Sequence, residues 1–366
     1  MNKVTPFTGS YRKGEVQFLL KPIALDDTPV HIKEVLIQSG QKHYSEMLTH
    51  ESLPSEAYVD LFNRAMTLNQ DRMALHLLVL SQGIIAHRSQ GITLVSLARA
   101  GTPVGVLLMH ILSRYFGIDA EHFSISILRD RGIDDNALRY ILKNHTPESL
   151  VFVDGWTGKG VISRQLATSL QAFEDSDGVP IPAELFVLTD LSGWAKFAAS
   201  SEDYLIPSCV LNATISGLVS RSIYDKQNSL STDFHGCLYY EQFIEQDLSR
   251  YFIDTILARV EVVWPDFKDI VDLAPSNFQS LQAVSERFLQ TLVERYGVGH
   301  PNFIKPGIGE ATRVLLRREA RLLLLKDLDA EATLHLRWLA EEKSIPIIVF
   351  NDLPYCAVAL IKEIQL

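Results

Sequence analysis

An α/β fold with a parallel sheet follows from two observations: short apolar runs of β type alternate with helix-like segments, and no self-similarity at repeat length interrupts that rhythm. The runs are Ile92 to Leu97, Phe123 to Leu128, Leu150 to Val153 and Leu185 to Thr189. With 366 residues, 47% of them hydrophobic and 21% charged, the chain can bury a sizeable core and has the length of about two domains.

Residues 1 to 90 carry an aromatic-rich lead-in, Tyr11 to Leu20, and an amphipathic helical stretch, Ser55 to Leu80. After the first apolar run, Thr102 can cap a helix and Pro103 fits its first turn; Val104, Leu107, Leu108, Ile111 and Leu112 form the buried stripe. The preceding turn, Ala98 to Gly101, then lies at the carboxyl edge of the sheet, where open parallel sheets bind ligands. The segment LVFVDGWTGKGVISRQL puts Asp154 to Gly160 on the same edge, so two loops are expected to face one crevice.

Residues 191 to 290 read as mixed, and mostly helical from Glu241. Gly297 to Gly309 holds four glycines and two prolines, strong punctuation that places a domain boundary there. The remainder reads as helix Glu310 to Arg318, strand Arg321 to Leu325, helix Ala330 to Lys343, strand Ile345 to Phe350 and an apolar end from Tyr355, a small α/β/α unit. The expected domains are therefore 1–296, with its core at about 91–190 and elaborations at 1–90 and 191–296, and 297–366.

The formal net charge of −10 argues against a broad nucleic-acid or anionic-membrane surface. No stretch reaches the roughly 18 apolar residues of a membrane span, and the start lacks a secretory h-region, so the cytoplasm is the expected compartment. Cys209, Cys237 and Cys356 form no CxxC pair and have no neighbour at zinc-finger spacing.

The loop DGWTGKG offers a phosphate small residues with convergent amides, the Thr157 hydroxyl, the Lys159 charge and a following helix start. It is not a triphosphate P-loop, because Val153 and Gly160 stand where that motif needs Gly and Ser or Thr. It resembles instead the 5′-phosphate loop of type I phosphoribosyltransferases, and SLARAGTPVG, Ser96 to Gly105, resembles their pyrophosphate loop, with Arg99 as its basic residue. Arg129, Asp130 and Arg131 follow a strand where those enzymes carry a mobile catalytic loop; a solvated charge run is the competing reading. The sequence departs from that pattern in having a single acid, Asp154, before Thr157.

Over most of its length the chain is similar to the phosphoribosyltransferase-like proteins of bacterial tellurite-resistance and stress gene clusters, a family also labelled a cysteine protease of StiP type. FTGSYRKGEVQFLLKP, HYSEMLTHESLPSEAY, VFVDGWTGKG, IPSCVLNATISGLVSRS and DFHGC carry the likeness. It implies a Rossmann-like phosphoribosyltransferase domain and a C-terminal Pelota-type RNA-binding-like domain marked by KPGIGEATRVLLRR.

On this reading the enzyme transfers ribose 5-phosphate from phosphoribosyl pyrophosphate to an acceptor the sequence does not name; a homodimer is compatible with it. Gly155, Thr157, Gly158, Lys159 and Gly160 would hold the 5′-phosphate, and Arg99 with the amides around Ala100, Gly101 and Thr102 the diphosphate. Asp154 would bind the ribose directly or through Mg²⁺, and Arg129 or Arg131 would close as a lid. Ser216, Ser220, Arg221 and His235 are hood candidates for substrate recognition.

Between Lys305 and Asp327 six basic residues face three acidic ones, and Arg313 and Arg317 share a helix face, which suits RNA or a phosphorylated small molecule; Lys305 belongs to the same patch. Two other classes stand beside the transferase: a non-catalytic sensor of a phosphoribosyl metabolite or RNA, and a cysteine protease. For the protease, His235 and Cys237 would point the same way from an extended strand. A buried, inert thiol is the competing reading.

Overall fold

The computed structural model describes residues 5–24, 26–47, 51–128, 130–224, 231–268 and 278–363. The chain opens with β1 (Gln17–Leu19), β2 (Lys21–Pro22), α1 (Val30–Gln38) and the long α2 (Glu56–His87). The core follows as β3 (Thr93–Leu97), α3 (Gly101–Phe116), β4 (Glu121–Ile125), β5 (Ile127–Leu128), β6 (Gly132–Ile133), α4 (Asp135–Ile141), β7 (Leu150–Thr157), α5 (Val161–Asp177), β8 (Leu185–Asp190) and β9 (Phe197–Ser200).

Six of these strands form one all-parallel sheet in the order β1-β4-β3-β7-β8-β9. Its strands are apolar almost throughout because both faces are covered. Leu94, Val151, Val153, Phe186 and Leu188 face the layer of α2 and α3, while Val95, Leu150, Phe152, Leu185 and Val187 alternate toward α4 and α5. From β3 the chain winds toward β4 and from β7 toward β8, so the crevice at the topological switch point opens between the carboxyl ends of β3 and β7. Gly101 is needed there: a Cβ would meet the Val153 carbonyl oxygen at 2.4 Å.

Two details differ from the sequence reading. The N-cap of α3 is Ala100, and the Thr102 hydroxyl, completely buried, bonds Ser124 Oγ at 2.7 Å, so it caps nothing. The lead-in supplies β1, an edge strand paired with β4, which three residues are too short to signal by periodicity.

Next come β10 (Val219–Ile223) and β11 (Gly236–Tyr239), an antiparallel pair extended by β2, and α6 (Ser249–Phe267), which packs on α2. The C-terminal unit contains α7 (Phe278–Tyr296), β12 (Ile304–Pro306), α8 (Ile308–Arg317), β13 (Ala320–Leu325), α9 (Leu334–Glu342), β14 (Ile347–Val349) and β15 (Ala357–Ile361). Its sheet runs β12-β15-β13-β14. Phe288 and Leu292 of α7 pack on its Tyr355 face, and Tyr355 donates to Ser285 Oγ at 2.7 Å, so α7 belongs with this sheet although it precedes the glycine-rich punctuation.

The other face joins the main core through Ile308, Ala311, Val314 and Leu315 of α8. Asp203 fastens the two units: its carboxylate accepts the amides of Ile308 and Cys356, each at 2.8 Å. No helix among the described residues is long and apolar enough to cross a membrane.

Candidate functional site

The two loops do meet at the switch point, but the second is covered by the C-terminal unit. Lys159 Nζ donates to the carbonyls of Pro301 at 2.6 Å and Ile304 at 2.9 Å, and a Cβ on Gly158 would meet the Pro306 carbonyl at 3.0 Å. The buried Thr157 hydroxyl accepts the Gly160 amide at 3.0 Å, and Gly160, with φ of 69°, lies against the Trp194 ring. The residues read as a phosphate cradle thus close a turn beneath β12 and α8.

Asp154 Oδ1 accepts the Gly155 amide at 2.8 Å, and burial, opposed by that bond and by Arg313, pushes its carboxyl up to about 7. Among the described residues no group of three His, Cys, Asp or Glu side chains could hold a metal ion.

Arg99 is held from three sides. Its guanidinium donates to Glu51 Oε1 at 2.6 Å, Ser220 Oγ at 2.7 Å and Asn212 Oδ1 at 2.6 Å. Glu51 also accepts from the Ser220 hydroxyl and from the Ala213 amide at 3.0 Å. Burial raises the Glu51 carboxyl, but Arg99 and these donors outweigh it and hold it below the usual range. The arginine expected to face a diphosphate is therefore bound to a carboxylate of the chain itself.

Across the crevice, Arg313 lies with its guanidinium 4.4 Å from the Trp156 ring centre, and its Nη1 is 3.7 Å from Glu310. Arg317 donates to the Leu211 carbonyl at 3.3 Å; burial and the neighbouring Arg99 and Arg313 push its pKa well below the ordinary value. Lys305 is 3.9 Å from Glu310. Cys209, fully buried, lies near these cations, yet desolvation pushes its thiol up to about 12.

The second cluster sits on the β10–β11 pair. His235 and Cys237 flank Gly236; the His235 carbonyl accepts from Lys21 N–H and the Cys237 carbonyl from Ile23 N–H, each at 2.9 Å, which fixes an extended backbone with both side chains on one face. His235 Nδ1 bonds Ser126 Oγ at 2.9 Å, and the His235 amide donates to Asp134 Oδ2. Asp134 caps α4, its Oδ1 accepting from Asn136 and Ala137 at 3.1 Å. Burial lowers the His235 pKa, with Asp134 and Asp135 opposing, so the ring is neutral and able to accept a proton. Cys237 is completely buried, and desolvation pushes its thiol well above the ordinary range.

Arg131, expected in a lid over the crevice, instead pairs with Glu46 at 2.6 Å and lies over the Tyr224 ring, which in turn packs edge-on against His235. Arg129 lies outside the described residues, as does the side chain of Arg221 on β10. Ser216 Oγ donates within its own turn, to the carbonyls of Asn212 and Val219. The sequence reading missed Glu51, Asn212, Ser126, Asp134 and Trp156. Of these only Asp134 had a local signal, an Asp at the start of an amphipathic turn.

One surface depression, about 640 Å³ and lined by Thr93, His110, Glu121 and His145 among others, opens at the opposite, amino edge of the sheet, and another of about 650 Å³ is lined by Lys326, Asp327 and Cys356 of the C-terminal unit; both lie away from the two clusters. The gap between Trp156, Asp203 and Gly307 measures only about 10 Å³, so the two units are closed on each other there.

Comparison with known proteins matches two stretches of the chain. A family described as "Tellurite-like stress resistance cysteine protease StiP" matches residues 9–257, and the "PELOTA RNA binding domain" matches residues 283–363. "Cysteine protease StiP" of Acinetobacter baylyi (strain ATCC 33305 / BD413 / ADP1) is 42% identical over 369 residues, covering 98% of this chain and 95% of that protein. These findings overturn the expected phosphoribosyltransferase and its partner phosphoribosyl pyrophosphate. Family and relative are both named for proteolysis, and the loop expected to hold the sugar phosphate is packed under the C-terminal unit.

Proposed function

The chain belongs to the StiP family of tellurite-like stress resistance cysteine proteases, and on that premise we propose that it is a cysteine hydrolase of polypeptides with Cys237 as nucleophile and His235 as its base. The observation that carries the assignment is their placement two residues apart on one face of an extended strand, with Asp134 against His235. Among the described contacts no histidine ring is bonded to any of the three cysteines; Cys237 is distinguished by having His235 two residues before it on the same extended segment.

His235 would take the thiol proton as sulfur attacks the scissile carbonyl and return it to the departing amine; water then cleaves the thioester. Residues i and i+2 of a strand stand roughly 6.6 Å apart, and the ring is engaged by Ser126, so the described form is a resting one. Ring rotation toward the thiol and exposure of Cys237 would have to precede chemistry.

The test is hydrolysis of casein, an unstructured polypeptide, by the full chain. Cys237→Ala should abolish cleavage, and His235→Ala should lower it by roughly 10²- to 10⁴-fold. Cys356→Ser should leave it unchanged. Undiminished cleavage by Cys237→Ala overturns the assignment, and its disappearance in Cys209→Ala would move the nucleophile to the junction.

A further inference from the structure

We propose that the junction between the carboxyl edge of the six-stranded sheet and α8 is a binding site for a compact oxyanion, a carboxylate or phosphate group, gripped by Arg313 and Arg317. This site is separate from Cys237 and does not depend on the hydrolase reading.

The argument begins with charge. Arg99, Lys305, Arg313 and Arg317 gather at the junction; the carboxylates that form ion pairs with them there are Glu51 and Glu310, and Asp154 lies within the field of Arg313. Glu51 is taken up by Arg99, Ser220 and the Ala213 amide, and Glu310 stands between Lys305 and Arg313. Arg317 forms no ion pair among the described contacts, and its described hydrogen bond goes to one peptide carbonyl at 3.3 Å. A desolvated guanidinium beside two others is costly without a counter-charge, because like charges repel more strongly away from water.

The second observation is an unanswered donor. Arg313 Nε is buried and has no hydrogen-bond partner, while Trp156 holds the guanidinium plane and Glu310 lies 3.7 Å from its Nη1. A planar fork fixed on an aromatic ring, with an edge unengaged, suits two-point contact with an oxyanion. Asp154 lies within the field of Arg313, and its carboxyl, held near 7 by burial, can donate a proton to such a ligand.

Access and size select the ligand. The Arg313 side chain is 27% exposed and that of Arg99 17%, so solvent reaches the cluster; its walls come from both units, and because the adjoining gap of about 10 Å³ holds no more than about one water, a ligand would enter from the exposed side of Arg313. A small anion fits that geometry better than an RNA strand, which needs cations along an open surface.

Calorimetric titration of the full chain with inorganic phosphate, with succinate and with a short single-stranded RNA, each against sodium chloride at matched ionic strength, tests the proposal. At least one small anion should bind the wild type. Arg313→Gln and Arg317→Gln should each weaken that binding by about tenfold, and Arg313→Lys by less. Arg259→Gln, at an exposed pair with Asp71, should leave it unchanged.

Phosphate alone or succinate alone identifies the group that the site takes, and either supports it. No binding above the chloride control, binding of RNA alone, or unchanged binding in both glutamine variants overturns it. Should a glutamine variant fail to fold, the wild type and Arg313→Lys decide. Retained binding in Cys237→Ala separates this result from the fate of the hydrolase assignment.

Discussion

The β10–β11 hairpin and the domain junction are both polar islands in an apolar protein, but they are satisfied in opposite ways. Around His235 the groups are short and mostly uncharged: Ser126 holds the ring, Asp134 is absorbed by the start of α4, and Cys237 is sealed in the core. At the junction long cationic side chains reach in from two units and form ion pairs with Glu51 and Glu310. Local hydrogen bonding keeps the first cluster near neutral and latent. The second holds excess charge at a boundary between units, where a ligand can supply what the chain does not.

The largest structural effect should come from the carboxylate that compensates Arg99. Glu51→Ala removes the acceptor of Arg99, of the Ser220 hydroxyl and of the Ala213 amide together, leaving a partly buried cation unpaired. Loss of about 3 kcal/mol is expected in chemical denaturation. A loss below about 0.5 kcal/mol, the range of an ordinary surface change, would show that the junction charges are solvated and would erase the contrast with the hairpin.

A smaller effect, with a pH signature, is expected at Asp154. Its carboxyl titrates near 7 in the folded chain but near 4 when unfolded, so between those values the folded state holds the extra proton. Stability contributed by this group is therefore present at low pH and lost as the pH rises toward 7. Asp154→Asn, which mimics the protonated form, should match the wild type at pH 4 and be the more stable of the two at pH 8. Equal thermal midpoints at both pH values would mean that the carboxyl ionises freely.

The parallel sheet was legible because strands buried on both faces read as continuous apolar runs; Leu150–Thr157 and Leu185–Asp190 are examples. That the turn after β3 meets the loop after β7 was legible too, since β3 and β7 flank the switch point. What covers those loops was not. The contacts of Lys159 with Pro301 and Ile304 span more than a hundred residues, and no local pattern encodes how one unit docks on another. Glu51 and Asn212 were hidden for the same reason. Cys237 and His235 were visible as a pair, but their burial depends on neighbours brought in by β2 and β10.

The smallest predicted effect separates the two clusters most cleanly. Ser126→Ala removes one hydroxyl from a fully buried position and leaves every junction contact in place. One lost hydrogen bond should cost about 1 kcal/mol of stability. If Ser126 holds the ring away from the thiol, its removal lets His235 turn toward Cys237, and alkylation of Cys237 by iodoacetamide should quicken in Ser126→Ala but not in Ser126→Ala combined with His235→Ala. An increase that persists without the imidazole would come from loosened packing, and the hairpin would then be a structural polar pair with no base poised for the thiol.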